Sequence, residues 1–388
     1  MSSPPIVVVA GAIANKCHNG GEAWVRLSWT LGFRKLGCTV FLLEQIDPDA
    51  CVDVAGAPAP FEESANLAFF RDITRRFGLE GSAALLCGEE AGYGPEMAEL
   101  VDIVGSADLF VNISGNVTAA VLLERARRTA YVDIDPGFTQ FWNTAQLEGG
   151  TTARHDHYFT IGENIGSPDC PIPSGGIEWR PIRQPALLDE WPLCPGSLDR
   201  FTTVANWRGP YAAIEYEGRT YGVKVHEFRK VFPLPQRVPW TFELALNIHP
   251  ADGRDLDSLH AHGWRTVDPR PISGDPDAFR HYIQTSGAEF SVAQGVYVGT
   301  ESGWFSDRTV RYLASGKPAL VQETGFSQHL PSGEGLLSFR TLDEAVDGAA
   351  RIARDYDGHC QAARAIAEEY FDSDKVLARM LEETGVSH

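Results

Sequence analysis

The chain has no CxxC pair, no GxGxxG loop, no internal repeat at a fixed period, no low-complexity tract and only six lysines among its 388 residues. Each absence excludes something. The seven cysteines, Cys17, Cys38, Cys51, Cys87, Cys170, Cys194 and Cys360, lie far apart and are odd in number, so neither a disulfide framework nor a structural zinc site is favoured. Cys38 and Cys87 read as small buried hydrophobes in strands. Cys17, in a polar glycine-bearing loop, is the one thiol worth testing for reactivity, and a bystander role is the expected outcome. Without GxGxxG, dinucleotide binding is disfavoured; without a repeat, so is a solenoid. Lys and Arg number 33 against 52 Asp and Glu, a formal net charge of -19. No basic stripe could track a phosphate backbone, so nucleic acid is not an expected partner. Long apolar runs are missing too. The stretch from Ile6 to Ala14 is too short for a bilayer and runs into Asn15 and Lys16 without a cleavage-like site, so the expectation is a cytoplasmic protein with no membrane span.

What is present suits a globular protein. Hydrophobic residues make up 43% and charged residues 22%, enough to build a packed core, and the length suits two domains. The first half alternates apolar runs with amphipathic stretches, the pattern of a parallel sheet covered by helices. Strands are expected at Ile6–Ala10, Thr39–Leu43, Ala83–Leu86, Leu109–Ile113, Ala130–Ile134 and Tyr158–Ile161, with helices beginning near Glu22, Glu63, Pro95 and Val117. From Gly166 to Pro195 the periodicity stops and seven prolines intervene, which predicts an extended connector. Strands then return at Phe201–Ala205, Phe242–Ile248, Ser291–Val298 and Ala319–Gln322, with helices around Val225, Leu256, Asp277 and Thr309. Three more follow, over Leu342–Tyr356, His359–Tyr370 and Ser373–Glu383. The expected organisation is a Rossmann-like domain over 1–165, a linker over 166–200 and a second Rossmann-like domain over 201–372. The helix of 373–388 crosses back to brace the first domain.

In open α/β sheets ligands sit beyond the carboxyl ends of the strands, and that rule selects the loops to inspect. After the first strand, Asn15, Lys16, His18 and Asn19 offer donors and one base, and Gly20 and Gly21 permit close backbone approach. Asp133 and Asp135, at the end of the fifth expected strand, share a side by strand alternation. Asp135 is taken as a general base in preference to a metal ligand, against the alternative of a structural carboxylate or helix N-cap. Ser114, Gly115 and Asn116 precede a helix and could both cap it and touch a ligand. His155 and His157 have metal-like spacing but no third ligand nearby. In the second half, Trp207, Arg208 and Gly209 follow a strand where a phosphate-binding loop is expected, Arg208 as a bidentate cation, with Lys224 as a second. The turn before the helix at Ser306, Asp307 and Arg308 presents backbone N–H groups to an anion, and an anion there would relieve the conflict between Arg308 and the helix dipole. The aromatic and polar loop from Phe138 to Thr152, with Phe141 and Trp142, suggests an acceptor pocket.

Within the segment from Gly299 to Gly325, the stretch Ser306–Gly325, with its Arg308-x-x-Arg311-Tyr312-Leu313-Ala314-Ser315-Gly316-Lys317-Pro318 core, resembles the second domain of bacterial GT-B glycosyltransferases. The likeness continues through Leu330–Leu337 and Thr341–Tyr356. It implies an α/β chain of two Rossmann-like domains facing each other across a cleft, acting as a hexosyltransferase-like enzyme. The donor nucleotide-sugar would be a co-substrate, bound mainly by the second domain. A hydroxyl- or amine-bearing small molecule or glycan would be the acceptor, bound mainly by the first, with no further cofactor and no obligatory metal. On this chain the diphosphate would meet Arg208, Lys224 and the N–H groups near Ser306, with Ser302 in the same turn-rich segment, and Glu301 or Asp307 would reach a ribose hydroxyl. The Glu-x7-Glu signature of many retaining members is absent, since Thr309 stands eight residues after Glu301, so inversion and retention both stay open. His18 or Asp135 would serve an inverting member as base. The rival readings are a sugar-nucleotide epimerase of the same fold and a non-catalytic nucleotide-sugar-binding protein.

Overall fold

A computed structural model describes residues 3–144, 155–209 and 211–387. The first domain is built on an eight-stranded sheet of β1 (Ile6–Ala10), β2 (Thr39–Ile46), β3 (Ala83–Cys87), β4 (Glu90–Tyr93), β5 (Leu109–Ile113), β6 (Thr129–Asp133), β7 (His157–Thr160) and β8 (Trp179–Pro181), in the order β4-β3-β2-β1-β5-β6-β7-β8. Every pairing is parallel except the β3–β4 hairpin. Helices cover both faces, and this is why the central strand reads Ile-Val-Val-Val-Ala, without alternation.

The second domain holds β9 (Arg200–Asn206), β10 (Ile214–Tyr216), β11 (Arg219–Tyr221), β12 (Thr241–Asn247), β13 (Arg265–Val267), β14 (Ala288–Ser291), β15 (Ala319–Gln322) and β16 (Leu336–Phe339). Six of these form a parallel sheet in the order β13-β12-β9-β14-β15-β16, and β10 and β11 pair as a separate hairpin.

Two expectations need correction. The strand predicted over Ser291–Val298 ends at Ser291, and Gly295–Thr300 is a helix. The alternating valines mimic a strand, yet Val296, Tyr297 and Thr300 are buried at helical spacing. A helix fits here because Gly295 has no Cβ, which would lie 2.6 Å from the Gly222 carbonyl oxygen. Within the proline-rich stretch, β8 adds to the first sheet beside β7. Its Pro181 is tolerated because β8 is the edge strand and no further neighbour needs that N–H.

The Gly20–Lys35 helix lies at the centre of the molecule. Asn19 caps it by accepting the Glu22 N–H at 3.1 Å, and Arg34 and Lys35 close the other end, charges that suit the helix dipole. It is buried nearly all round because three partners surround it. Its own sheet takes one side. The Pro276–Gln284 helix of the second domain takes another, where the Trp24 indole N–H donates to the Pro276 carbonyl at 2.8 Å. The Ser373–Glu383 helix takes a third, close enough that a Cβ on Gly32 would fall 2.4 Å from Leu377 Cδ1. One core therefore runs from Trp24, Leu27 and Leu31 into Phe279, Ile283, Tyr312 and Leu313. The apposition of the two domains rests on this packing. Among the described residues no helix is long and apolar enough to cross a membrane.

Candidate functional site

In each sheet the strand order reverses beside the first strand: between β1 and β5 in one, and between β9 and β14 in the other. Loops diverge at such points and leave a crevice. The two crevices face each other across a cleft of about 910 Å³, a volume within the range of small-molecule sites. His18, Asn19, Gly21 and Glu22 line it from the first domain. Asn206, Gly209, Lys224, Asn247, Gln294, Asp307 and Arg308 line it from the second.

The second-domain wall is cationic and tightly organised. Arg308 donates from Nε to Glu289 Oε1 at 2.8 Å, from Nη1 to the Val204 carbonyl at 2.9 Å and from Nη2 to Ser291 Oγ at 2.6 Å. Three of its five N–H groups are thus committed, and the guanidinium is fixed in place. Glu289 is fully buried, which pushes its carboxyl up against the opposing pull of Arg308. Lys224 has no ion pair among the described residues. Burial, followed by the Arg308 charge, pushes its ammonium down to about 7, with Glu289 pulling the other way. Gln294 stitches the neighbouring loops together: its Oε1 accepts the Lys224 N–H at 2.7 Å and its Nε2 donates to the Arg208 carbonyl at 3.4 Å.

On the first-domain wall, His18 adopts a left-handed backbone with φ 57°. That is uncommon for a residue with a Cβ and aims its ring from the loop against Phe69, 5.8 Å away. Burial works to raise the Glu22 carboxyl, but the charges of Arg26 and Lys16 and an Arg26 hydrogen bond outweigh it and hold it low. Asp135 lies at the domain boundary near Glu22, half-buried and off the cleft wall. Burial and the charges of Asp133 and Glu22 push it up to about 6, and a Tyr297 hydrogen bond opposes them. Asp133 is fully buried and accepts from Thr139, Gln140 and Thr160 at 2.6 to 2.8 Å, so it is structural.

Several expected site residues lie elsewhere. The Trp207 side chain belongs to the second domain's core, its indole donating to Asp255 at 2.9 Å. Arg208 is turned to the surface in a two-pronged pair with Asp252, at 2.8 and 2.5 Å, and does not line the cleft. Glu301 pairs with Arg340 at 2.6 Å, away from any ribose in the cleft. Ser302 and Ser306 are buried behind the wall, and Ser306 precedes the Asp307–Ala314 helix without a side-chain cap. Gly20 serves domain contact, since a Cβ there would fall 2.0 Å from the Asp275 carbonyl oxygen. Asn15 shapes its loop: its N–H donates to Glu44 at 2.8 Å and its amide to the Gln45 carbonyl at 2.9 Å. The Ser114 N–H donates to the Val132 carbonyl and Asn116 accepts from the Gln45 N–H, and neither residue lines the cleft. Burial raises the Cys17 thiol, against reactivity. The suggested acceptor loop over 138–152 lies outside the described residues from 145 onward. Among the described residues no group of three or more His, Cys, Asp or Glu side chains could hold a metal ion.

Sequence reasoning gave no individual role to Asn206, which it placed in the expected phosphate-binding loop, or to Glu22, Asn247, Glu289, Gln294 and the Asp268–Arg270 pair at the rim. Asn206 and Asn247 had a signal, because both end parallel strands at the face where ligands bind, and their amides meet at 2.9 Å. Glu289 had one as well: a carboxylate inside an apolar strand needs a buried cation.

No family model matches the sequence and no curated protein matches it. Solved structures match over the whole chain. An α-glucosyltransferase in complex with UDP and a 13-mer DNA containing an HMU base superposes with a TM-score of 0.60 at 10% identity, covering 98% of this chain and 100% of that one. HepE of Anabaena, in complex with UDP and glucose, gives 0.57 at 12% identity, covering 98% and 99%. Sucrose-phosphate synthase from Thermosynechococcus elongatus gives 0.52 at 12% identity, covering 98% of each chain. With its two facing parallel sheets, the chain has the GT-B fold.

Proposed function

We propose that the protein is a nucleotide-sugar-dependent glycosyltransferase. The donor's diphosphate would rest on Lys224 and Arg308, and the acceptor would enter against the first-domain wall. The observation that carries this reading is a cation pair on one wall of a two-domain cleft, one member locked by three hydrogen bonds and the other without a carboxylate partner among the described residues. Such a pair is built for an anion that develops charge. As the bond from the anomeric carbon to the diphosphate oxygen breaks, its electrons stay on the oxygen, and preorganised cations stabilise the departing charge. We read the chemistry as metal-independent on the strength of these two cations. Asp307 would accept a hydrogen bond from a ribose hydroxyl, since it lines the cleft at the start of its helix. His18, Glu22 and Asp135 are the candidate groups on the acceptor side. UDP-sugars are the first donors to try, because two of the similar structures carry UDP.

Incubation with UDP-, GDP-, ADP- and TDP-sugars and a panel of hydroxyl and amine acceptors, read by mass spectrometry, tests the reading. A glycosylated acceptor or free sugar with released nucleoside diphosphate supports it. An epimerised donor, or binding without any turnover, rejects it.

A further inference from the structure

Asp135 stands on the first domain, two residues beyond the end of β6, yet both of its carboxylate oxygens are met from the second. Tyr297 OH donates to Oδ1 at 3.2 Å and Tyr211 OH to Oδ2 at 3.4 Å. Tyr297 belongs to the Gly295–Thr300 helix and follows Gln294, a cleft-lining residue, by about one turn. Its ring is clamped by stacking on Trp304, with centroids 4.4 Å apart and planes 19° apart, and by an edge contact with Phe138 of the first domain. The ring is therefore held by packing, and the hydroxyl is left with a single task.

We propose that Tyr297 is a positioning residue for Asp135: its hydroxyl, reaching across the domain boundary, sets the carboxylate's orientation so that Asp135 can serve as base only while the two domains are apposed. The inference rests on the transferase reading. The two tyrosine bonds differ in a way that suits this role. At 3.4 Å the Tyr211 bond is long, at a distance where hydrogen bonds weaken; Asp135 stands behind the cleft-lining Glu22, so the role requires an acceptor hydroxyl or amine that reaches past Glu22 and replaces Tyr211 at Oδ2 while Tyr297 keeps Oδ1. The acceptor's proton then passes to Oδ2 and its oxygen or nitrogen forms the new bond to the anomeric carbon. The bond from that carbon to the diphosphate breaks, its electron pair leaving with the diphosphate. Protons and electrons balance without a further reactant.

The charged and titratable groups facing Asp135 are Asp133, Glu22, Arg26, Tyr211 and Tyr297. Burial, Asp133 and Glu22 push its carboxyl up to about 6, while the Tyr297 hydroxyl and Arg26 favour the ionised form. Removing that hydroxyl moves the carboxyl further up, and the acidic limb of turnover must move with it.

Tyr297→Phe is the test, because phenylalanine keeps the stack on Trp304 and deletes only the hydroxyl. Affinity for UDP, GDP, ADP and TDP is measured by calorimetry, and donor turnover is followed from pH 5 to 8 with the corresponding nucleotide-sugars. The expected result is nucleotide affinity within about twofold of wild type, turnover at pH 6 reduced at least about tenfold, and an acidic limb displaced upward by about half a unit or more. Tyr211→Phe should do less on each count. A Tyr297→Phe variant with wild-type turnover and an unmoved limb overturns the positioning role. So does one that merely melts earlier with its limb in place. If the wild type binds none of the nucleotides and turns over none of their sugars, the transferase reading falls and takes this role with it. That outcome is distinct from an active wild type beside an unaltered variant.

Discussion

Binding of a nucleoside diphosphate should weaken steeply above neutral pH, because the site must first protonate Lys224. Burial and the Arg308 charge hold that ammonium at about 7, and an anion laid against it restores the charged form. The sign follows. Between pH 7 and the higher value of the bound state, binding takes up a proton, so affinity falls as pH rises. The protonated fraction drops from about one half at pH 7 to about one hundredth at pH 9, a loss of roughly 50-fold in affinity or about 2.3 kcal/mol. The second ionisation of a phosphate lies near 6, so the nucleotide itself stays in one charge state over this window. Calorimetry with UDP at pH 7, 8 and 9, in buffers of different ionisation enthalpy, measures both the slope and the proton uptake. Lys224→Arg supplies the control, since a guanidinium stays charged throughout: its affinity should be flat over the same range. A wild-type affinity independent of pH with no proton uptake would refute the reasoning, as would a Lys224→Arg variant that kept the wild-type slope.

Other outcomes follow from the same geometry. Arg208→Ala should leave nucleotide affinity within about twofold, because its guanidinium is held by Asp252 and does not line the cleft; a large loss in calorimetry would return it to the site. His18→Ala should reduce turnover more than nucleotide affinity, because His18 lines the cleft on the acceptor side, as steady-state kinetics beside calorimetry would report. Gly20→Ala forces a Cβ against the Asp275 carbonyl and should cost about 1 to 3 kcal/mol of stability, read as an earlier thermal midpoint and, if the domains are pushed apart, weaker nucleotide binding.

The architecture was legible where a local pattern and its burial coincide. The runs Ile6–Ala10, Leu109–Ile113 and Ala319–Gln322 are mostly apolar stretches bounded by polar turns, and each is a strand over those same residues. Short strands escaped notice: Arg265–Val267 and Trp179–Pro181 span three residues each and owe their form to a neighbouring strand. The site was less legible than the fold, because a side chain's direction depends on partners distant in sequence. Nothing near Arg208 announces that Asp252 will claim it, and nothing near Trp207 announces Asp255, 48 positions away. The same holds for Gly20, whose neighbour Asp275 lies in the other domain. Lys224 and Arg308, by contrast, stand at the ends of turns that topology carries to the cleft, and there the rule about strand ends was sufficient.

The central claim, that the second-domain wall is a diphosphate site, is tested most directly by a crystal structure of the protein with UDP. The diphosphate should lie within hydrogen-bond distance of Lys224 Nζ and of the uncommitted N–H groups of Arg308, with the ribose towards Asp307. A nucleotide bound elsewhere, against Arg208 and Asp252 for instance, or a cleft that stays empty at saturating UDP, would contradict it.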